Sequence, residues 1–105
     1  MVKMIATKAE WDAVMKDAGD KVVAVDFTAS WCGPCKMIGP KFEAFSTEYT
    51  NIIFIKVDVD ENDEVAQAEG ISAMPTFKFY KNGKQVDELV GASEAKLKEM
   101  CEKHK

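Results

Sequence analysis

The segment Trp31-Cys32-Gly33-Pro34-Cys35 joins two stretches of different character. Residues 22–29, before it, are apolar and rich in β-branched side chains, which is typical of a strand, and residues 36–49, after it, have a helical pattern. The first cysteine is therefore expected where a strand ends and a helix begins. Unpaired N–H groups at a helix start favour negative charge, so a thiol there loses its proton more easily.

The two cysteines of this segment are spaced to react with each other. Separated by two residues, they can meet across one turn and exist as a dithiol or as a small-ring disulfide. We expect Cys32, nearer the exposed helix start, to attack a disulfide in a protein substrate and form a mixed disulfide. Cys35, one turn deeper and shielded, would resolve it by attacking Cys32. The pair thus predicts a redox-active centre that moves two electrons between thiols.

Two other readings of the cysteines are less favoured. A purely stabilising disulfide gains little, because a two-residue loop hardly constrains the unfolded chain. A zinc site could be completed by Cys101 and His104, whose C-x-x-H spacing suits a metal ligand pair. These two residues belong to a helix whose apolar face should pack on the sheet, so no metal is predicted.

Composition limits the class of protein. A chain of 105 residues with 47% hydrophobic content fits one domain over residues 1–105. Its net charge is −4 and all 14 basic residues are lysine, which does not suggest nucleic-acid binding. Three cysteines suit a reducing compartment. Neither a signal peptide nor a membrane span is indicated, so we expect a cytoplasmic protein, with a nuclear share left open.

Strand-like and helix-like segments alternate and then end in a hairpin and a helix. The predicted strands are residues 1–6, 21–29, 52–58, 75–81 and 84–90, and the predicted helices are residues 7–18, 32–49, 62–69 and 93–104. Asn82-Gly83 is a hairpin turn signal. Thr7 with Glu10, Asn62 and Ser93 are predicted N-caps, Gly19 and Gly70 are predicted helix ends, and Pro40 should kink its helix. This order predicts an α/β protein with a mixed sheet and helices on both faces.

Asp26 interrupts the apolar run that leads to the cysteines. Burial of a carboxylate is costly, so its pKa should be raised. We expect Asp26 to point toward the motif and to exchange a proton with Cys35, directly or through water, with Lys56 on the adjacent strand moderating its charge. The alternative is an aspartate that merely turns to solvent at a strand edge.

The motif, preceded by Val25-Asp26-Phe27 and followed by Lys36, resembles the active-site segment of thioredoxins. Residues 54–60, 74–77, 81–83 and 90–92 resemble further segments of that family, in the same order and spacing. The resemblance implies a thioredoxin fold, with a central five-stranded mixed sheet flanked by four helices. It also implies a protein-disulfide reductase that maintains redox homeostasis, and an aspartate and a lysine, here Asp26 and Lys56, in the roles given above.

The resemblance also implies partners. The oxidised protein would be regenerated by an NADPH-dependent thioredoxin reductase, so that NADPH is used indirectly and the chain itself binds no cofactor. Peroxiredoxin, methionine sulfoxide reductase and ribonucleotide reductase are plausible clients in this family. A monomer is expected, with neither nucleic acid nor membrane among its partners.

A substrate surface is expected around Cys32. The resemblance implies a cis bond before Pro75, which would turn the backbone of Met74 toward the motif and let an extended substrate pair with it. Trp31 is expected to form a wall of this surface and Gly91 to keep another edge low. Gly33 and Pro34 add no positive charge beside the thiolate, as in the reducing members of the family.

Cys101 stays open between two interpretations. Its spacing from Leu97 and Met100 favours a buried core thiol. A partly exposed thiol that forms intermolecular disulfides is the alternative. Two rival functions remain for the whole chain. One is a binding module with incidental redox chemistry. The other is a thiol oxidase or isomerase, and the Gly33-Pro34 pair argues against this second one.

Overall fold

Five strands and four helices alternate along the chain in the computed structural model, which describes residues 1–105. They are β1 (Lys3–Met4), α1 (Lys8–Asp17), β2 (Val23–Thr28), α2 (Gly33–Glu48), β3 (Ile53–Asp58), α3 (Asp63–Ala68), β4 (Thr76–Lys81), β5 (Lys84–Val90) and α4 (Glu94–His104). The predicted order of elements is confirmed. The first strand is shorter than the predicted residues 1–6, because the chain leaves the sheet to begin α1.

The strands form one mixed sheet in the order β1-β3-β2-β4-β5. β2 is central, parallel to β3 on one side and antiparallel to β4 on the other. The β4–β5 hairpin turns at Asn82 and Gly83, whose φ angles of 53° and 77° are both positive, as a type I′ turn requires. The motif therefore follows the central strand of the sheet.

The helix ends follow the sequence signals, with one exception. Thr7 Oγ1 accepts a hydrogen bond from Glu10 N–H at 3.1 Å, and Ser93 caps α4 in the same way. Asn62 occupies the predicted N-cap position of α3, but the prediction that its side chain caps the helix is wrong. Its side chain makes no capping bond and instead donates to the carbonyl of Ile5 at 3.2 Å. The side-chain amide of Asn62 is buried, and it provides a hydrogen-bond donor for a backbone carbonyl just after β1.

Two apolar clusters cover the two faces of the sheet, because successive side chains of a strand point to opposite faces. On one face, Phe77 and Phe79 of β4 pack with Phe42 of α2 and Leu97 of α4. The other face packs against α1 and α3. α2 continues through Pro40 without ending there. None of the helices has the length and apolar content that a membrane crossing requires.

Candidate active site

Cys32 and Cys35 form a disulfide at the start of α2. Cys32 is the N-cap residue, the Cα atoms are 5.3 Å apart, and the N–H of Cys35 donates to Sγ of Cys32 at 3.2 Å. Pro34 lies in the first turn, where a missing N–H costs nothing. A sulfur at this position accepts a helix N–H and lies at the end of the helix that favours negative charge.

The expected contrast between an exposed Cys32 and a shielded Cys35 is not found in this disulfide form. The two residues are 5% and 3% exposed. Bonded to each other, they pack as one small cluster with Ala29, against the side chains of Val59 and Met74. Exposure therefore does not distinguish the two cysteines in this form.

Asp26 is buried in the middle of β2, as the apolar run predicts, and is only 3% exposed. Its Oδ1 atom has no hydrogen-bond partner. Burial raises the pKa of Asp26 to about 7, and the positive charge of Lys56 partly opposes this rise. Asp26 and Lys56 are paired in register on β2 and β3, so their side chains leave the same face of the sheet. The alternative of a solvent-facing aspartate is wrong.

A groove of about 660 Å³ brings Asp26, Cys35 and Lys56 together. Val2 and Met4 of the N-terminal segment and Gly39, Pro40 and Phe42 of α2 form its apolar walls. The groove is open to solvent and is large enough for water beside the carboxyl group. A proton can therefore pass between bulk water and the buried end of the cysteine pair.

Of the predicted substrate residues, Met74 packs against the cysteine cluster and Trp31 directly precedes Cys32 in the chain. Trp31 is 66% exposed, while Pro75 is buried and follows a cis peptide bond, as the family resemblance implied. The N–H of Gly91 donates to the carbonyl of Pro75 at 2.9 Å. Gly91 has a φ of 112°, and a Cβ at this position would meet no atom within 4 Å. Its positive φ explains why this position is a glycine, and the expectation that it keeps an edge of the substrate surface low stays a prediction.

Two residues that the sequence analysis did not name also belong to this region. Asp60 accepts a hydrogen bond from the indole Nε1 of Trp31 at 2.8 Å. Val90, 58% exposed, pairs with Thr76 directly beside Pro75. Both residues lie in segments that resemble the family, residues 54–60 and 90–92, but the sequence indicated no role for either.

The third cysteine lies apart from the site. Cys101 is 0% exposed in the core, which confirms the prediction of a buried thiol, and burial raises its pKa to about 12. His104 lies with its Nε2 2.9 Å from Oδ2 of Asp87. No group of three or more histidine, cysteine or acidic side chains is arranged to hold a metal ion.

Comparison with known proteins gives one consistent result. The family model described as thioredoxin matches residues 2–103. A thioredoxin of Geodia cydonium is 58% identical over the full length of both chains. Thioredoxin 1 of Plasmodium falciparum is 51% identical, covering 99% of this chain and 98% of its own. The X-ray structure of Fasciola hepatica thioredoxin superposes with a TM-score of 0.95 at 45% identity, covering 98% of this chain and 99% of that one.

Proposed function

This chain belongs to the thioredoxin family and is a thiol–disulfide oxidoreductase that reduces protein disulfides, and we propose how its residues divide that work. Cys32 is the nucleophile, Cys35 the resolving cysteine, and Asp26 the proton carrier for Cys35. The observation that carries this assignment is the cysteine pair at the start of α2, with Cys35 and the buried Asp26 lining one groove.

The reaction begins with the reduced pair. The Cys32 thiolate attacks one sulfur of a substrate disulfide, forms a mixed disulfide and expels the other substrate sulfur as a thiolate, which takes up a proton. Cys35 then loses its proton and attacks Sγ of Cys32. The Cys32–Cys35 disulfide forms, and the second substrate sulfur leaves as a thiolate and is protonated. Two electrons and two protons have passed to the substrate.

Asp26 fits the proton step because its pKa lies near neutrality. With a pKa raised to about 7 by burial, its carboxyl group can both accept and return a proton at working pH. The positive charge of Lys56 lowers the pKa of Asp26 and so limits this rise. Through water in the groove, Asp26 takes the proton of Cys35 during resolution and releases it to solvent.

The surface around Cys32 binds the substrate. Trp31 forms one wall, Pro75 and Gly91 another, and the backbone of Met74 pairs with an extended segment of the client. Gly33 and Pro34 keep the pair reducing, because neither adds a cation that would stabilise the thiolate. The apolar character of this surface suits a protein better than a single small molecule.

Thioredoxins act with thioredoxin reductase and with disulfide-containing substrates. For this chain we place the reductase upstream, so that NADPH supplies electrons without binding to the chain. Peroxiredoxin, methionine sulfoxide reductase and ribonucleotide reductase are its client classes. We place the protein in the cytoplasm as a monomer made of a single domain, where it maintains reduced thiols.

The test is NADPH consumption during insulin disulfide reduction with thioredoxin reductase present. The wild type should turn over, Cys35→Ser should not, and Cys101→Ser should keep the wild-type rate. The same Cys35→Ser variant should also trap the intermediate, because it lacks the resolving cysteine. It should accumulate a mixed disulfide with insulin, and dithiothreitol should release it. A folded wild type that is reduced chemically yet leaves insulin intact would contradict the assignment.

A further inference from the structure

Three buried polar side chains, Thr76, Lys78 and Tyr80, occupy alternate positions of β4 and therefore share one face of the sheet. Phe77 and Phe79, between them, point to the opposite face and belong to its apolar core. A polar row inside a strand with a neighbour on each side is unusual. Each buried polar group costs free energy unless it finds a partner.

All three partners lie on the segment that precedes the cis proline. Tyr80 donates its hydroxyl hydrogen to Oε1 of Glu69 at 2.6 Å, and Lys78 Nζ donates to the backbone carbonyl of Glu69 at 2.5 Å. The hydroxyl of Thr76 donates to the carbonyl of Ala73 at 2.6 Å. The row thus holds both ends of the short connection between α3 and β4.

Lys78 has a specific place in this arrangement. Its side chain is 9% exposed, and its second contact, with Glu88, is longer at 3.7 Å. The carbonyl of Glu69 ends α3, and a cation there satisfies a carbonyl that has no partner within the helix. Burial, and then the bond to Glu69, raise the pKa of Tyr80 above its ordinary value, so its hydroxyl stays a donor.

The held segment, residues 70–74, contains the residue proposed to meet the substrate. It starts at Gly70, with a φ of 72°, and the N–H of Ile71 donates back to α3 at Ala66. Met74 takes part in none of the backbone hydrogen bonds of the turns, loops and caps. Its N–H and carbonyl are therefore available to a second chain, while the backbone on either side is fixed.

We propose that Thr76, Lys78 and Tyr80 are positioning residues, which hold residues 70–74 so that the backbone of Met74 is ready to pair with an extended client segment beside Cys32. This inference rests on the proposed role of Met74. A small disulfide reaches Cys32 without such pairing, so the row should matter for protein disulfides and not for small ones.

The test compares two substrates. We would measure kcat/KM for insulin and for the small aromatic disulfide 5,5′-dithiobis(2-nitrobenzoate), using wild type, Lys78→Met and Tyr80→Phe. Lys81→Met is the matched control, since it removes an exposed lysine from the same strand. Misplacement of a binding segment lowers the rate steeply, so we expect kcat/KM for insulin to fall about tenfold in Lys78→Met, through KM, with the small disulfide unchanged.

Tyr80→Phe removes one hydroxyl group and no packing volume, so it guards against a variant that fails to fold. Tyr80→Phe should also lower kcat/KM for insulin, by a smaller factor than Lys78→Met. Amide hydrogen exchange in residues 70–74 should become faster. Equal losses with both substrates, or no more loss than Lys81→Met shows, would overturn the inference alone. A wild type that reduces neither substrate would instead overturn the proposed function.

Discussion

The indole Nε1 of Trp31 donates a hydrogen bond to Oδ2 of Asp60 at 2.8 Å, although 29 residues separate them in the chain. The ring is 66% exposed, and Trp31 directly precedes Cys32 in the chain. Asp60 is itself placed by its N–H, which donates to Oδ1 of Asp58 at 2.9 Å just after β3. The end of β3 therefore sets the orientation of the side chain that precedes Cys32.

Asp60→Ala should release the indole and weaken binding of protein substrates. One hydrogen bond contributes about 1 kcal/mol, so KM for insulin should rise up to about fivefold, with kcat nearly constant. Glu61→Ala is the control, because it removes an exposed carboxylate from the same segment. A similar rise in both variants would mean that lost charge, and not the freed indole, is responsible.

Asp26→Asn should stabilise the fold above neutral pH. The pKa of Asp26 is raised from 3.8 to about 7 by burial, so as pH rises between these values the unfolded carboxyl ionises first. The folded wild type therefore loses stability across this window, with no penalty below it and the full penalty above it. A pKa difference of this size corresponds to about 4 kcal/mol, as an order of magnitude, in the free energy of unfolding.

Urea unfolding of both proteins at pH 3.5, 5.5 and 8 would measure this effect. The advantage of Asp26→Asn should be absent at the lowest pH and largest at the highest. The same variant should slow insulin reduction, because the amide cannot take a proton from Cys35. Full turnover in Asp26→Asn would remove the proton-carrier role while leaving the stability result intact.

Cys101 should be chemically silent in the folded protein. Because it is 0% exposed and burial raises its pKa to about 12, almost no thiolate is present or reachable at pH 8. Mass spectrometry of reduced protein treated with iodoacetamide should find Cys101 unmodified under native conditions and modified only after unfolding in guanidinium. Rapid triple modification under native conditions would contradict the buried position.

Gly91→Ala should destabilise the protein through the backbone alone. Residues with a Cβ rarely adopt a backbone φ of 112°. No neighbouring atom lies close enough to clash with an added Cβ. The cost should be about 1–3 kcal/mol in the free energy of unfolding. Gly33→Ala is the matched control, because the same Cβ would meet open space without a positive φ. Equal stabilities of the two variants would contradict this explanation.

Much of the fold could be predicted because local signals and the global pattern agree. The hairpin turn at Asn82-Gly83 set the ends of β4 and β5, and the apolar run around Asp26 marked the central strand. The position of Cys32 at the start of α2 also followed from the change of period on either side of the motif. These are local properties of the chain, which sequence patterns report well.

The rest depends on contacts between distant segments. Asn62 has the chemistry of an N-cap, but only the fold shows that the carbonyl of Ile5 takes its amide hydrogen. Nothing in the sequence indicated the bond between Asp60 and Trp31 or the bond between Lys78 and the carbonyl of Glu69. The burial of Cys32 was missed because it depends on its contacts with Ala29 and Cys35 and on Val59 and Met74, which pack against this cluster. Long-range pairing of this kind leaves no period in the sequence.

The Asn82-Gly83 turn lies at the far end of β4 from Pro75, and the six residues of that strand span about 20 Å. An exposed two-residue turn is the kind of place where a chain tolerates interruption. A peptide, a fluorophore or a linker to an electrode attached there would stand clear of Trp31 and the cysteine pair. The hairpin therefore offers a handle for immobilising the protein with its reactive end facing solution.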